Sequence, residues 1–245
     1  LVTSTPNTAP PQVEAANTRE KTQYYSDLFL KHKEWQSTTP NEDEKARWAK
    51  ISQLLGNIVE PNTRPRILDV GSGRGWLTNL LWEYGDAEGV EPVEPVLQSA
   101  AQMMPHIRFT LGSVGEVFKR PDFSPFDIIV SSEVVEHVPY KDQGAFIQGF
   151  RSLLKKNGFA IITTPRKEVF DIWMKCVNNQ RQPVDDWLTE AELKSLFEQC
   201  GFATIARDRV HFSFKTCTYV NVPSSADLSA GTVIPLYQVW LFRAV

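Results

Sequence analysis

The sequence predicts an α/β fold, a mostly parallel seven-stranded sheet with helices on both faces, and three observations carry that prediction. From residue 66 onward, short apolar segments alternate with amphipathic ones, the order that parallel strands joined by helical crossovers produce. Two of those segments, FDIIV at 126–130 and FAIIT at 159–163, are nearly continuous apolar runs, as strands buried on both faces require. A glycine-rich turn, ILDVGSGRGW at 67–76, separates the first strand from the helix after it. Together these describe a Rossmann-like open sheet.

The elements follow in order. Residues 1–15 mix Pro, Thr, Ser and Asn without periodicity, which predicts a mobile N-terminal arm. Residues 16–40 hold an N-terminal helix or lid, in which Tyr25, Leu28, Phe29 and Trp35 recur at amphipathic spacing. Asn41 with Glu44 three positions later forms a capping box, and Trp48, Ile51, Leu55 and Ile58 mark one face of a second helix that ends at Pro61. RILDV is then a central strand and 76–84 a helix. Further strands are expected at 87–91, 107–110, 126–131 and 158–163, with helices at 95–104 and 143–155 and a longer connection through 199. Within that connection Thr189 and Glu192 make another capping box, ahead of Leu193, Leu196 and Phe197 on a helical face. Strands at 204–214 and 236–243, joined by VPSSADLSAG, add an antiparallel C-terminal edge hairpin.

Composition narrows the function. With 26 basic and 29 acidic residues in 245, the net charge of −3 provides no overall field for nucleic acid or an anionic membrane. Cys176, Cys200 and Cys217 are too few and too far apart for a disulfide framework or a thiolate zinc site. No apolar run approaches the ~18 residues of a membrane span, and LVTSTPNTAPPQ lacks a signal-peptide layout, so a cytoplasmic protein is expected. The sequence opens on Leu, which leaves an earlier start or a processing step open, and it gives no reading of the oligomeric state.

The glycine turn carries the strongest chemical signal. Gly71, Gly73 and Gly75 form G-x-G-x-G, whereas a dinucleotide fingerprint requires glycine where Trp76 stands, and no P-loop motif is present. Glu91 ends the second strand, 22 residues beyond Asp69, where a carboxylate can accept both hydrogen bonds of a ribose diol. The bland alternative is a tight turn followed by a solvated carboxylate.

LDVGSGRG, with Glu91 after it, resembles the first motifs of the class I S-adenosylmethionine-dependent methyltransferases, and the resemblance extends over about 45–245, making 41–245 a methyltransferase domain. It implies S-adenosylmethionine as cofactor, with Asp69, Gly71, Ser72, Gly73 and Gly75 at its amino acid end and ribose, and Glu91 and Pro92 at the ribose. LGSVGEV resembles the third-strand loop, which places Ser113 and Val114 near adenine; many relatives carry Asp where Ser113 stands. Ser132, ending a segment that resembles the fourth strand, completes the implied cofactor set.

Methyl acceptance points to His137, just past the fourth strand, as a base for an acceptor hydroxyl; the other reading is a structural hydrogen bond. If 133–137 forms one helical turn, Glu133, Glu136 and His137 could instead bind a divalent metal, an arrangement that resembles the HEN-type small-RNA 2′-O-methyltransferases. QRQPVDDW lacks the further histidine of that family, and E-x-x-E-H turns also resemble those of ubiquinone-pathway O-methylating enzymes. On the substrate side, Tyr24 and Tyr25 of the front helix, Arg166 after the fifth strand and Trp173 beyond it are candidates, against core packing or a solvated loop. The expected partner is a small-molecule methyl acceptor with an oxygen as nucleophile, with nucleic acid disfavoured and no membrane. Metal-assisted RNA methylation and a non-catalytic cofactor-binding protein are the alternatives.

Overall fold

The structure, a computed structural model, describes residues 19–31, 35, 37–177, 182–222 and 232–245. The arm expected over 1–15 and most of VPSSADLSAG lie outside the described residues. Helix α1 (Arg19–Lys31) precedes α2 (Glu42–Ile58), whose start is fixed by the expected box: Glu44 N donates to the Asn41 side chain at 2.9 Å, and Asn41 N to Glu44 Oε2 at 2.9 Å.

Then come β1 (Arg66–Val70), α3 (Trp76–Leu81), β2 (Asp86–Glu91), α4 (Glu94–Met103), β3 (Arg108–Leu111), α5 (Val114–Phe118), β4 (Phe126–Ser132), α6 (Tyr140–Leu153) and β5 (Leu154–Pro165). The chain closes with α7 (Phe170–Val177), α8 (Glu190–Gln199), β6 (Phe202–Ser213), β7 (Thr218–Val220) and β8 (Val233–Ala244). The described strands number eight rather than the seven expected, in the order β3-β2-β1-β4-β5-β8-β6-β7. The addition, β7, has three residues, too short for an alternating pattern to register, and pairs antiparallel with β6 at His211, Phe212 and Ser213. Two short helices, α5 and α7, also escaped the periodicity reading for want of length.

Strands β1 to β5 pair in parallel, and β8 enters antiparallel between β5 and β6. Alternation along the strands sorts the core onto two faces. Ile67, Ile128, Ile161, Val239 and Leu241 pack with Ile51 and Leu55 of α2 and with Leu77 and Leu81 of α3. Leu68, Ile129, Ile162, Trp240 and Phe242 pack with Phe146 and Phe150 of α6 and with Leu193 and Phe197 of α8. The rings of Phe197 and Phe242 stack with centroids 4.0 Å apart. Burying each such side chain is worth about 1.5–3 kcal/mol, so α2, α6 and α8 are held by apolar faces rather than by helix propensity. No helix among the described residues is long and apolar enough to cross a membrane.

Candidate functional site

The strand order reverses between β1 and β4, and in an open α/β sheet the crevice beyond the strand ends at such a point takes the ligand. The glycine loop lies there. Gly71, Gly73 and Gly75 all have positive φ (75°, 51° and 81°), a conformation that strains residues with a side chain. Gly71 N and Ser72 N both donate to Val90 O, at 2.9 and 3.1 Å, which ties the loop to the end of β2. A Cβ on Gly71 would fall 2.4 Å from Val134 Cγ2, so the loop and the turn after β4 fit only because that methyl is missing.

Glu91 is 6% exposed, and its carboxylate accepts from Gly73 N at 2.9 Å and Val93 N at 2.8 Å. Burial pushes its carboxyl up to about 7, against the pull of those two N–H groups. Asp69, buried at the end of β1, accepts from Thr78 Oγ1 at 2.6 Å and is likewise pushed up to about 7 by burial, with Glu91 adding repulsion. Pro92 is exposed beside Glu91. Ser113 begins α5, with its hydroxyl donating to Glu116 Oε2 at 2.7 Å, and Val114 is buried beneath it. Ser132 Oγ accepts from Arg47 Nη1 at 2.8 Å and bonds Thr163 Oγ1 at 2.8 Å.

The turn after β4 is not the single helical turn considered above. Glu133 has φ 59°, and only Val135–His137 forms a 3-10 turn. This left-handed step sends the carboxylates to different partners: Glu133 Oε1 accepts from Thr163 Oγ1 at 3.0 Å, Glu136 Oε2 from Thr164 Oγ1 at 2.9 Å. Burial raises both carboxyls, and their repulsion raises Glu133 further. The metal reading of Glu133, Glu136 and His137 is therefore corrected: among the described residues no three His, Cys, Asp or Glu side chains gather as a ligand set. The ring of His137 lies with Nδ1 3.0 Å from Val184 O and Nε2 3.7 Å from Glu136 Oε1.

Helix α1 covers this crevice. Phe29 Cζ lies 3.3 Å from where a Cβ on Gly73 would stand, so the phenyl sits against the bare face of the loop. The Tyr25 ring lies 5.8 Å from that of His137, and its hydroxyl donates to Gln182 Oε1 at 3.0 Å. Burial, followed by the charges of Glu136 and Glu91, raises the Tyr25 phenol. Tyr24 meets Tyr25 edge-on at 5.1 Å. Arg166 stands elsewhere, 8% exposed, with Nε 2.9 Å from Glu190 Oε1 and Nη1 donating to Pro235 O. Arg207 and Arg209 share the same carboxylate, so the substrate reading of Arg166 gives way to a structural one. Trp173 packs edge-on against Phe212 at 5.3 Å, joining α7 to β6 on the α2 side of the sheet.

Residues 41–207 match the family model described as a methyltransferase domain. The chain belongs to that methyltransferase family. It is 30% identical over 165 residues to the human mitochondrial ubiquinone biosynthesis O-methyltransferase, a match covering 57% of this chain and 42% of that protein. It is 28% identical over 169 residues to a malonyl-[acyl-carrier protein] O-methyltransferase of Magnetococcus marinus, covering 66% and 61% respectively. The chain thus spans less than two thirds of either relative. Among solved structures, the N-methyltransferase NodS from Bradyrhizobium japonicum superposes with a TM-score of 0.64 at 15% identity, over 92% of this chain and 98% of that one, a likeness of fold. The class I resemblance of LDVGSGRG is borne out, as is the α/β architecture.

Two features of this methyltransferase were not found from the sequence. Arg74, inside the glycine loop and 2% exposed, pairs through both Nη atoms with Glu44 at 3.0 and 2.6 Å, with Trp35 5.3 Å beneath its guanidinium. Arg47 reaches Ser132 and Asp43 from α2. A signal for both existed: the stripe Ile51 and Leu55, continued toward the N-terminus at helical spacing, runs through Arg47 and Glu44.

Proposed function

We propose that this protein transfers a methyl group from S-adenosylmethionine to an oxygen of a small-molecule acceptor, with His137 as the base. The observation that carries the reading is the pairing, at one switch point, of a buried carboxylate bonded to the glycine loop with an imidazole at the mouth of the next strand. The residues fit the cofactor. Each Glu91 oxygen accepts one backbone N–H, and a carboxylate has about four acceptor sites, which leaves one on each oxygen for a ribose hydroxyl. Gly71 and Gly73 take the left-handed turns that bring their N–H groups onto Val90 O and Glu91, conformations a side chain would strain. Ser72 Oγ is buried without a hydrogen-bond partner, so an unused polar group also waits in the loop. In this reading Glu91 and Pro92 hold the ribose, Asp69 and the loop the amino acid end, Ser113 and Val114 the adenine, and Ser132 the strand end.

When bound, S-adenosylmethionine supplies a methyl group activated by its sulfonium sulfur. The chain's own task is then to align an acceptor oxygen and remove its proton. Val184 O can only accept, so Nδ1 of a neutral His137 carries the proton and Nε2 is the basic nitrogen. Once Nε2 has taken a proton, Glu136 Oε1 at 3.7 Å is placed to stabilise the imidazolium. Tyr25 beside the His137 ring, with Tyr24 edge-on to it, forms the acceptor's wall and excludes water, with α1 as a lid.

The decisive measurement is formation of S-adenosylhomocysteine across a panel of phenolic, alcoholic, carboxylic and amine acceptors, alongside calorimetric binding of both cofactor forms. Turnover restricted to oxygen acceptors is expected. Turnover on amines alone would move the reading to nitrogen, and a folded protein that binds neither cofactor form would end it.

A further inference from the structure

A buried guanidinium is stable only where its charge and its donors are met, and Arg47 is 5% exposed. Nη2 donates to Asp43 on its own helix at 2.8 Å, and Asp43 in turn accepts from the hydroxyl of Tyr219 on β7. Nη1 donates to Ser132 Oγ at 2.8 Å and lies 3.9 Å from Glu133 Oε1. The guanidinium carbon stands 5.3 Å from the ring of Tyr237 and 5.9 Å from that of Trp76, the first residue of α3. Because Ser132 Oγ accepts from Arg47 and Thr163 Oγ1 donates to Glu133, the bond between the two hydroxyls runs from Ser132 to Thr163. The result is one directed chain, Arg47 to Ser132 to Thr163 to Glu133, that returns to a second carboxylate beside the guanidinium, 3.9 Å from Nη1.

That chain ends on the residue with φ 59°, a conformation a non-glycine residue keeps only where its surroundings enforce it. We infer that Arg47 is a positioning residue for methyl transfer: by closing this ring it holds Glu133 in the left-handed step and so sets the Glu136 and His137 side chains at the mouth of the crevice. The inference rests on the methyl-transfer reading above. Arginine suits the task because its planar fork serves Asp43 and Ser132 at once, which a lysine ammonium on a flexible stem does not.

The test compares the wild type with Arg47→Met, Arg47→Lys and the double variant Arg47→Met with Glu133→Gly, by cofactor affinity, kcat and the NMR signals of the His137 ring. Arg47→Met is expected to lower kcat at least about tenfold, as small misplacements of a reacting group do, while cofactor affinity changes by less than about threefold. Glycine takes φ 59° without strain and removes the carboxylate that Arg47 faced, so the double variant is expected to regain most of the lost kcat and return the shifted His137 signals toward the wild-type positions. Arg47→Lys should fall between. Cofactor affinity falling as far as kcat/KM would overturn the inference in favour of direct cofactor contact. So would a double variant no better than Arg47→Met, or His137 signals that do not move. Should Arg47→Met fail to fold, Arg47→Lys with and without Glu133→Gly makes the same comparison. A wild type without cofactor binding strikes the methyl-transfer reading itself, and the His137 signals still judge Arg47.

Discussion

The two halves of the crevice are built in different ways. Around β1 and β2 the site is made by backbone: three glycines, paired N–H groups on Val90 O, and one carboxylate fixed by Gly73 N and Val93 N, all between residues 69 and 93. Around β4 and β5 it is made mostly by side chains drawn from across the chain: Tyr25 meets His137, and Arg47, Ser132 and Thr163 join at the strand ends, with the Val184 carbonyl the one backbone group on the imidazole among the described residues. A backbone cradle suits a ligand that does not change between relatives, and a side-chain wall suits an acceptor that does.

The largest expected effect comes from cutting the tie between the halves. Arg74 and Glu44 are both buried, so Glu44→Ala leaves a guanidinium uncompensated inside the glycine loop and should destabilise the fold by about 3–5 kcal/mol, read as a loss of thermal stability. Glu91→Ala strikes the backbone half alone. It should weaken cofactor binding by roughly 30- to 100-fold, the loss of charge-assisted hydrogen bonds to two hydroxyls, with kcat at saturating cofactor far less affected. His137→Ala should do the reverse, lowering kcat by about 10²-fold with cofactor affinity unchanged. If the two variants gave the same pattern, the division into halves would fail.

The smallest effect is one of pH. The carboxyls of Asp69 and Glu91 sit at about 7, above their ordinary 3.8 and 4.5. The folded, cofactor-free state therefore holds protons that the unfolded chain releases, and these two groups make it less stable as pH rises from about 4 to 7. Both Glu91 oxygens accept charge-assisted bonds from the ribose hydroxyls only when the carboxyl is ionised, so cofactor affinity should rise with pH through the same window and level off above about 7. Calorimetric affinities at several pH values should show that slope, reduced in Glu91→Gln. An unchanged slope in that variant would remove Glu91 as its source.

The same division explains what the sequence disclosed. LDVGSGRG and Glu91 were legible because a local motif fixes them: glycines at positive φ are bound to a strand end a fixed distance away. Apolar periodicity placed the strands of the core and α2, α6 and α8 to within a few residues. His137 was singled out from its place after β4, but the left-handed Glu133 beside it has no local signature, since its support comes from Arg47 and Thr163. Arg166 resembled a surface cation in sequence because its neutralising Glu190 lies 24 residues away on another element. Charged residues at core positions of α2 were the overlooked clue, and their partners only the fold reveals.

The insertion of β8 between β5 and β6 bears on how the molecule is made. A ribosome releases β6 and β7 before β8, so during synthesis the edges of β5 and β6 that β8 later fills stay open. Open strand edges are templates for pairing with other chains. A chain interrupted before Val233 would keep the whole crevice sequence and still present both edges, making it a client for chaperones rather than a smaller enzyme.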